Sequence, residues 1–542
     1  MFDYILKKAQ DYKVITFDVF DTLVIRDVIK PIDVFSLTKG VWFKYVRIAA
    51  EVLARKCSSK EEVTLKEIYK FLPFCDMNRE IEEEFKTCRA DKSMKEVYDT
   101  LKKQGKSIYA ISDMYLPKSV IEKILENCGY SFDGVLVSSE YGKTKTTGKL
   151  YKQFLNEFNL KKEDVLHIGD NEIADFAGAK KAGVEAFLIP EKKNLLSYSK
   201  VNKKHMHVVG FVNNRLQYKI DRCEKLGYEV LGPIVVSFCQ WLHKKRKEYN
   251  FEKLFFMSRD MRLVYDVYQK LYPEDNSQYI YISRKSLNSA LDNAENLCKY
   301  LKKNGFEGEI ALVDTGGRCA AQPILDYYAK LNDSTTNVGG LYMWVKTGYK
   351  YIDRYKKSEA CFFSRGIDLI YSQTYSAFFE NLIGPKEDKV IAYDCFGEPV
   401  FQKEDKDIGN ISKLQKGAMD FANDWFELNK NALISPAEAF SSYVNLQNFP
   451  AKEDIDLLGD SEYDDVETTR IVNFNGCFSV WNIKKWFTDL RFSAWKGAYF
   501  KKSFKHPLLP YIAYLVLDSL LLACIDIKTF KNIKIEGLLK YY

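Results

Sequence analysis

The chain has 542 residues, of which 46% are hydrophobic and 29% charged, and its 81 Lys and Arg against 74 Asp and Glu leave a net charge of +7. That length exceeds what one hydrophobic core serves, so two or three globular domains are expected, of ordinary soluble composition. The mild charge, and the lack of a basic stripe with stacking aromatics on a known module before the tail, exclude nucleic acid as a partner.

The twelve cysteines form no CxxC pairs. They read as reduced thiols, and with the polar start MFDYILKKAQ they predict a cytoplasmic protein without a signal peptide. No repeat or low-complexity tract interrupts the chain.

Residues 14–24, VITFDVFDTLV, open the informative part. Val14, Ile15 and Phe17 predict a buried strand that delivers Asp18 to its carboxyl end, where open α/β sheets place ligands. Asp21 and Thr22 follow in the turn. Helix capping is the plainer role for such residues. A helical pattern then runs over about 27–92, through Val34, Leu37, Val41, Phe43 and Val46 and later Ile68, Phe71 and Leu72. It reads as a small cap over the site, or as a packing appendage.

Residues 107–117, SIYAISDMYLP, predict a second strand ending in Ser112 and Asp113. Residues 142–151, GKTKTTGKLY, bring lysines before a helix. Residues 165–183, VLHIGDNEIADFAGAKKAG, predict a third strand ending in Asp170, then a helix of small residues carrying Asp175. Strand ends of this kind gather at one rim of a parallel sheet. Such a rim suits phosphoryl transfer: one carboxylate attacks phosphorus, a hydroxyl and a lysine hold its oxygens, and further carboxylates hold a hard cation.

These four ordered segments resemble the haloacid-dehalogenase (HAD) superfamily of phosphatases over about residues 10–190. The resemblance implies that Asp18 is the nucleophile and that Thr22 closes the first motif. It implies that Ser112 binds the phosphoryl group, with Asp113 beside it, and that Lys145 stabilises it, with Lys143 and Lys149 as competitors. Asp18, Asp170 and Asp175 would hold Mg²⁺. Phosphatases of the superfamily carry a second Asp two residues after the nucleophile; here that residue is Phe20. The dehalogenase branch also has an aromatic residue there. Asp21 or the substrate's own hydroxyl is left to supply the proton.

Residues 206–229 read as a linker, and a new α/β pattern follows. Strands at 253–257, 279–282 and 309–313 end in Ser258-Arg259-Asp260, Ser283-Arg284-Lys285 and Asp314-Thr315-Gly316-Gly317-Arg318. The last reads as a short loop with free backbone N–H groups, a cradle for phosphate, with a helix beginning near Cys319. The arginines could clamp a polyanion. This order resembles a divergent phosphoribosyltransferase domain. The resemblance implies that Ser258, Arg259 and Asp260 line a pyrophosphate loop. It also implies that Asp314, Thr315, Gly316 and Gly317 form the loop for phosphoribosyl pyrophosphate (PRPP), with Arg284, Lys285 and Arg318 as further contacts.

The acids of 453–467 read as a solvated loop. The tail, 481–505, is basic and aromatic, and an apolar stretch follows to 527. It reads either as a peripheral membrane contact or as a segment packed on its own domain.

The expected fold class is α/β. A Rossmann-like HAD domain (1–205, cap about 27–92) leads through the linker to a phosphoribosyltransferase-like domain (230–400). A helical region with the basic tail (401–542) closes the chain. Jointly the resemblances imply an enzyme of bacterial surface-polysaccharide synthesis. It would transfer phosphoribosyl from PRPP to a lipid-linked glycan acceptor, then remove the 5-phosphate. It would sit in the cytoplasm, at the inner membrane face if the tail binds lipid. A single-activity phosphatase with a partner- or glycan-binding second half is the alternative, and a non-enzymatic scaffold a third.

Overall fold

The computed structural model describes residues 2–517 apart from 192, 200–205, 291–293, 318, 346–356, 364–367, 385–386, 404–408, 430–431, 465–467, 473, 475 and 477. Arg318 and the tail beyond 517 therefore lie outside the described residues. The chain divides into two compact units, residues 1–196 with 200–217, and residues 197–199 with 218 onward.

The first unit is built on a five-stranded parallel sheet. Its strands are β1 (Val14–Phe17), β4 (Ser107–Ser112), β5 (Gly134–Val137), β6 (Val165–Gly169) and β7 (Glu185–Leu188), and two short strands, β2 (Val24–Arg26) and β3 (Cys88–Ala90), pair beside it. The order is β5-β4-β1-β6-β7. All four residues of β1 are buried, as a strand covered by helices on both faces requires. Ile15 and Phe17 join one core with Ile108, Val135 and Leu166; Val14 joins the other with Ile111, Leu136 and Val165. Thr16 is the polar exception, and its hydroxyl meets His167 Nδ1 of β6 at 2.8 Å. The chain leaves β1 toward β4 on one side and β6 on the other. The crevice outside β1 and β6 is thus where such a sheet binds ligands.

The insert expected over 27–92 forms four helices, Val34–Lys39, Val41–Cys57, Leu65–Tyr69 and Met77–Thr87, closed off by antiparallel pairing of β2 with β3. Thr64 caps the third helix and Glu67 returns to the Thr64 N–H, a capping box. The cap is tied down to the strand-end loop after β4: the Leu65 N–H donates to Tyr115 O at 2.8 Å, and the Arg47 guanidinium lies 4.7 Å from the Tyr115 ring centre. Arg47 is fully buried and bonds the equally buried Glu80 through two nitrogens, at 2.7 and 2.8 Å.

Residues 206–229 are not a linker. Helix Met206–Leu216 belongs to the first unit: Asn214 donates to Arg26 O at 2.7 Å, and Arg215 pairs with buried Asp27 at 2.8 Å. The apolar run from Val208 to Phe211 gave this segment a core to join. Residues 218–229 belong to the second unit.

That unit also has a five-stranded parallel sheet: β8 (Lys253–Met257), β9 (Ser277–Ile280), β10 (Glu309–Gly317), β11 (Asn337–Val345) and β12 (Ser358–Phe363), in the order β12-β11-β10-β8-β9. Its connections reverse direction between β8 and β10. Residues 401–517 do not stand apart from 230–400. Helix Gly409–Asn429 packs on the helical run before β8 so closely that a Cβ on Gly227 would lie 1.8 Å from Leu414 O. Of the acidic run, Asp454 is part of the body, while Glu453, Asp456 and Asp460 are exposed. Asp454, on helix Lys452–Leu458, is buried and takes both Arg222 Nε (2.7 Å) and Nη2 (2.8 Å).

Candidate functional site

Four residues meet at the carboxyl end of β1. The Asp18 N–H still donates to Ile168 O of β6, so the sheet itself fixes its backbone. Lys145 enters from the loop before helix Lys149–Glu157. Its buried ammonium lies 2.5 Å from Asp18 Oδ1 and 2.5 Å from Asp175 Oδ1. Lys143 and Lys149, the competitors, are spent elsewhere: Lys143 reaches Gln153 and Lys149 pairs with Glu61.

Asp175 is presented by a wide helical turn, Glu172–Ala177. Asn171 starts that turn by accepting from the N–H groups of Ile173 and Ala174 and donates its own N–H to Asp175 Oδ2 at 2.9 Å. His167 holds the other oxygen at 3.2 Å, and is set in turn by Thr16. Gly169 is required here. A Cβ on it would come within 2.3 Å of the Asp175 carboxyl carbon. Gly178 lets the helix that follows approach the Lys145 carbonyl in the same way. Asp170, half-buried, accepts the Thr22 hydroxyl at 3.1 Å.

Asp18, Asp170 and Asp175 offer oxygens that all lie within 4.8 Å of one another. The electrostatics follow from burial. Loss of water pushes the Asp18 carboxyl well up, against the pull of Lys145, and Asp175 and Asp170 push in the same direction as burial. Burial would also raise Asp175, but Lys145 and His167 hold it well below the usual carboxylate range. Burial works against the Lys145 ammonium, yet Asp18 and Asp175 outweigh it and its pKa is raised. Asp170 is raised by burial and then by Asp21. One ammonium among three carboxylates leaves a hard-oxygen set short of positive charge, and a divalent cation such as Mg²⁺ fits that set.

Ser112 is buried at the last position of β4, one strand over from Asp18. Asp113, expected among substrate contacts, instead accepts the Lys145 N–H with both oxygens at 2.9 Å and so positions the lysine; burial pushes it up to about 6. Asp21 sits in the left-handed region (φ 60°) with its N–H on Val24 O at 2.8 Å. The Phe20 ring carries the Arg26 guanidinium at 3.7 Å, and Arg26 pairs with Glu84 of the cap at 2.8 Å. Phe20 is therefore an apolar platform where a proton donor was sought. His167 was missed: a histidine inside an apolar strand signals only a core residue until its neighbour across the sheet is known.

The second unit gathers its expected residues less completely. Ser258 is consumed by the backbone, donating to Ile282 O and accepting from the Ile282 N–H, both at 3.1 Å. Ser283 caps helix Arg284–Ser289, Arg284 is exposed on its first turn, and Lys285 reaches Gln402 at 3.1 Å. The loop expected at 314–317 is not a loop. Asp314, Gly316 and Gly317 continue β10 and pair with Tyr342, Trp344 and Val345 of β11. The two glycines permit a close strand rather than a turn, since a Cβ on Gly316 would lie 2.0 Å from Trp344 O. The helix that follows begins at Ala321. Asp314 and the turn Ser258-Arg259-Asp260 nonetheless share the β8/β10 reversal. Burial, with Asp260 adding to it, pushes the Asp314 carboxyl up to about 7 against the Thr315 and Gly316 N–H groups and Arg284.

Residues 12–183 match the haloacid dehalogenase-like hydrolase family. No curated protein matches the chain. Among solved structures, a HAD family enzyme of Bacteroides thetaiotaomicron is 14% identical, covering 34% of this chain and 96% of its own, with a TM-score of 0.27. A 2-haloacid dehalogenase of Pseudomonas syringae pv. tomato is 16% identical (33% and 86%, TM-score 0.27). A HAD-hydrolase of Bacillus subtilis, described as bound to magnesium, is 16% identical (33% and 88%, TM-score 0.26). The N-terminal region is a HAD-like hydrolase domain.

Proposed function

We propose that the first unit is a Mg²⁺-dependent phosphatase that works through an aspartyl phosphate on Asp18. The observation that carries this reading is the Lys145 ammonium, buried between Asp18 and Asp175 at 2.5 Å from each. An Asp18 oxygen attacks phosphorus while the ester oxygen leaves. Lys145 and Ser112 hold the phosphoryl oxygens. Mg²⁺, held by Asp18, Asp170 and Asp175, would neutralise charge on the phosphoryl group. Water then attacks phosphorus, the P–O bond to Asp18 breaks, and Asp18 returns.

The leaving oxygen needs a proton, and Phe20 has none to give. Asp21 lies close enough to Asp170 and to Arg26 to move the pKa of both. It follows Phe20 in the turn after β1, and we assign it the proton. Asp21→Asn is expected to slow hydrolysis of an alkyl phosphate by about 10²-fold or more. Hydrolysis of p-nitrophenyl phosphate, whose leaving group needs no proton, would fall far less. Equal rates for Asp21→Asn and the unaltered protein on the alkyl ester would give the proton to the substrate instead.

We read the second unit as the source of that ester: phosphoribosyl transfer from PRPP to a lipid-linked glycan acceptor. The acceptor hydroxyl bonds to the ribose anomeric carbon, pyrophosphate leaves, and a carboxylate takes the hydroxyl proton. What supports this is the pair Asp260 and Asp314 near Arg284 at the strand-order reversal, where parallel sheets bind ligands. A glycine cradle at 314–317 is no part of the support. Incubation with PRPP, Mg²⁺ and acceptor glycans tests it. Pyrophosphate and phosphate are expected from the unaltered protein, phosphate alone is lost in Asp18→Asn, and both are lost in Asp314→Asn. Phosphate release from simple esters with no pyrophosphate from PRPP would leave the chain a phosphatase alone.

A further inference from the structure

Charge is distributed unevenly in this chain. Residues 481–517 hold seven Lys and Arg against one acid, Asp489, so 37 residues carry +6 of the total +7. Asp489 is buried. The exposed charge of this stretch is therefore entirely positive.

The same residues are half committed to the body of the second unit. Helix Ile483–Phe492 turns Trp486, Asp489 and Leu490 inward. Trp486 donates its indole N–H to Ser503 at 3.0 Å, and Trp495 stacks on Phe378 with ring centres 4.3 Å apart. Tyr511 packs on Phe500 and donates to Asn448 at 2.8 Å. Packing accounts for that half.

The other half has no such account. On helix Ile483–Phe492 the outward side holds Lys484, Phe487, Thr488 and Arg491, spaced as one helical face, with Trp481 97% exposed just before it. Lys484, Lys485 and Arg491 pair with no carboxylate among the described residues. Over 508–517, Leu508, Leu509, Ile512 and Val516 are exposed while Tyr511 faces in. Large aromatic and aliphatic side chains interleaved with lysines, with no exposed acid among them, match the chemistry of an anionic bilayer surface. The rings enter the headgroup boundary and the ammonium groups meet lipid phosphates. No helix among the described residues is long and apolar enough to cross a membrane, so contact of this kind would be peripheral.

We infer that the face formed by Trp481, Lys484, Lys485, Phe487 and Arg491 binds the surface of a membrane containing anionic lipid. This inference is independent of the chemistry assigned to either sheet. The full chain would be sedimented with vesicles of phosphatidylcholine, with and without phosphatidylglycerol. Binding is expected only with phosphatidylglycerol and is expected to weaken as salt rises. Lys484→Glu, Lys485→Glu and Arg491→Glu together should cut it about a hundredfold or more. Trp481→Ala with Phe487→Ala should cut it without altering the salt dependence. All five side chains are exposed and belong to the second unit, so the circular dichroism and thermal unfolding of the full chain should not change in either variant; that serves as the folding control. Equal binding to neutral vesicles, full binding by the charge-reversed variant, or a defined complex with a soluble acidic protein and no vesicle binding would each overturn the inference.

Discussion

Asp18→Asn is expected to abolish phosphate release, lowering the rate by about 10⁴-fold or more, while the protein remains folded. The amide is isosteric with the carboxylate but is a poor nucleophile. It also removes one of the two negative partners of the Lys145 ammonium, leaving Asp175 at 2.5 Å. Because burial already disfavours charge on Asp18, the substitution relieves a desolvation cost, and thermal stability should hold or rise. The diagnostic result is inactivity with undiminished stability. An active variant would move the nucleophile elsewhere, and neither Asp170 nor Asp175 is free for that role, with Thr22 on one and His167 and Asn171 on the other.

Glu80→Ala should be the most destabilising substitution in the cap, costing about 3–5 kcal/mol. Arg47 is fully enclosed, and Glu80 meets two of its nitrogens while also accepting the Tyr69 hydroxyl at 2.9 Å. Without Glu80 the guanidinium keeps Glu51, at 3.2 Å, and the faces of Phe35, Tyr69 and Tyr115. The double variant Arg47→Met with Glu80→Leu removes both charges and should recover most of the loss, because the cost lies in the uncompensated charge. Urea unfolding of the three proteins measures this. Since Tyr115 belongs to the loop after Ser112, the single variant should also lower activity at temperatures where the rest of the unit is folded.

The candidate site was legible because its residues lie beside strand ends, and strand ends can be read from apolar runs. Asp18, Ser112 and Asp170 each follow such a run, and Lys145 stands at a fixed distance before a helix. What could not be read is what depends on distant partners. Arg47 and Glu80 lie on helices whose charges look solvated until the two helices meet. His167 acquires its role from Thr16, 151 positions away. The pair Gly316-Gly317 suits both a turn and a strand in tight contact, and Trp344 decided for the strand. Residues 206–229 looked like a connection because their apolar residues form no long periodic run; they divide between the two units. The tail packs on its own domain through Trp486 and Trp495 and leaves Trp481 exposed, a division that its composition does not reveal.

The central claim is that Asp18 carries the phosphoryl group. The protein would be mixed with a phosphate ester and Mg²⁺, quenched in acid within a turnover, and digested, and the peptide containing residues 14–24 weighed and fragmented. The account predicts the added mass of one phosphoryl group on Asp18, present with Mg²⁺ and absent with a chelator. Phosphate released at full rate with no modified Asp18, or with the phosphoryl group on another residue, would contradict it.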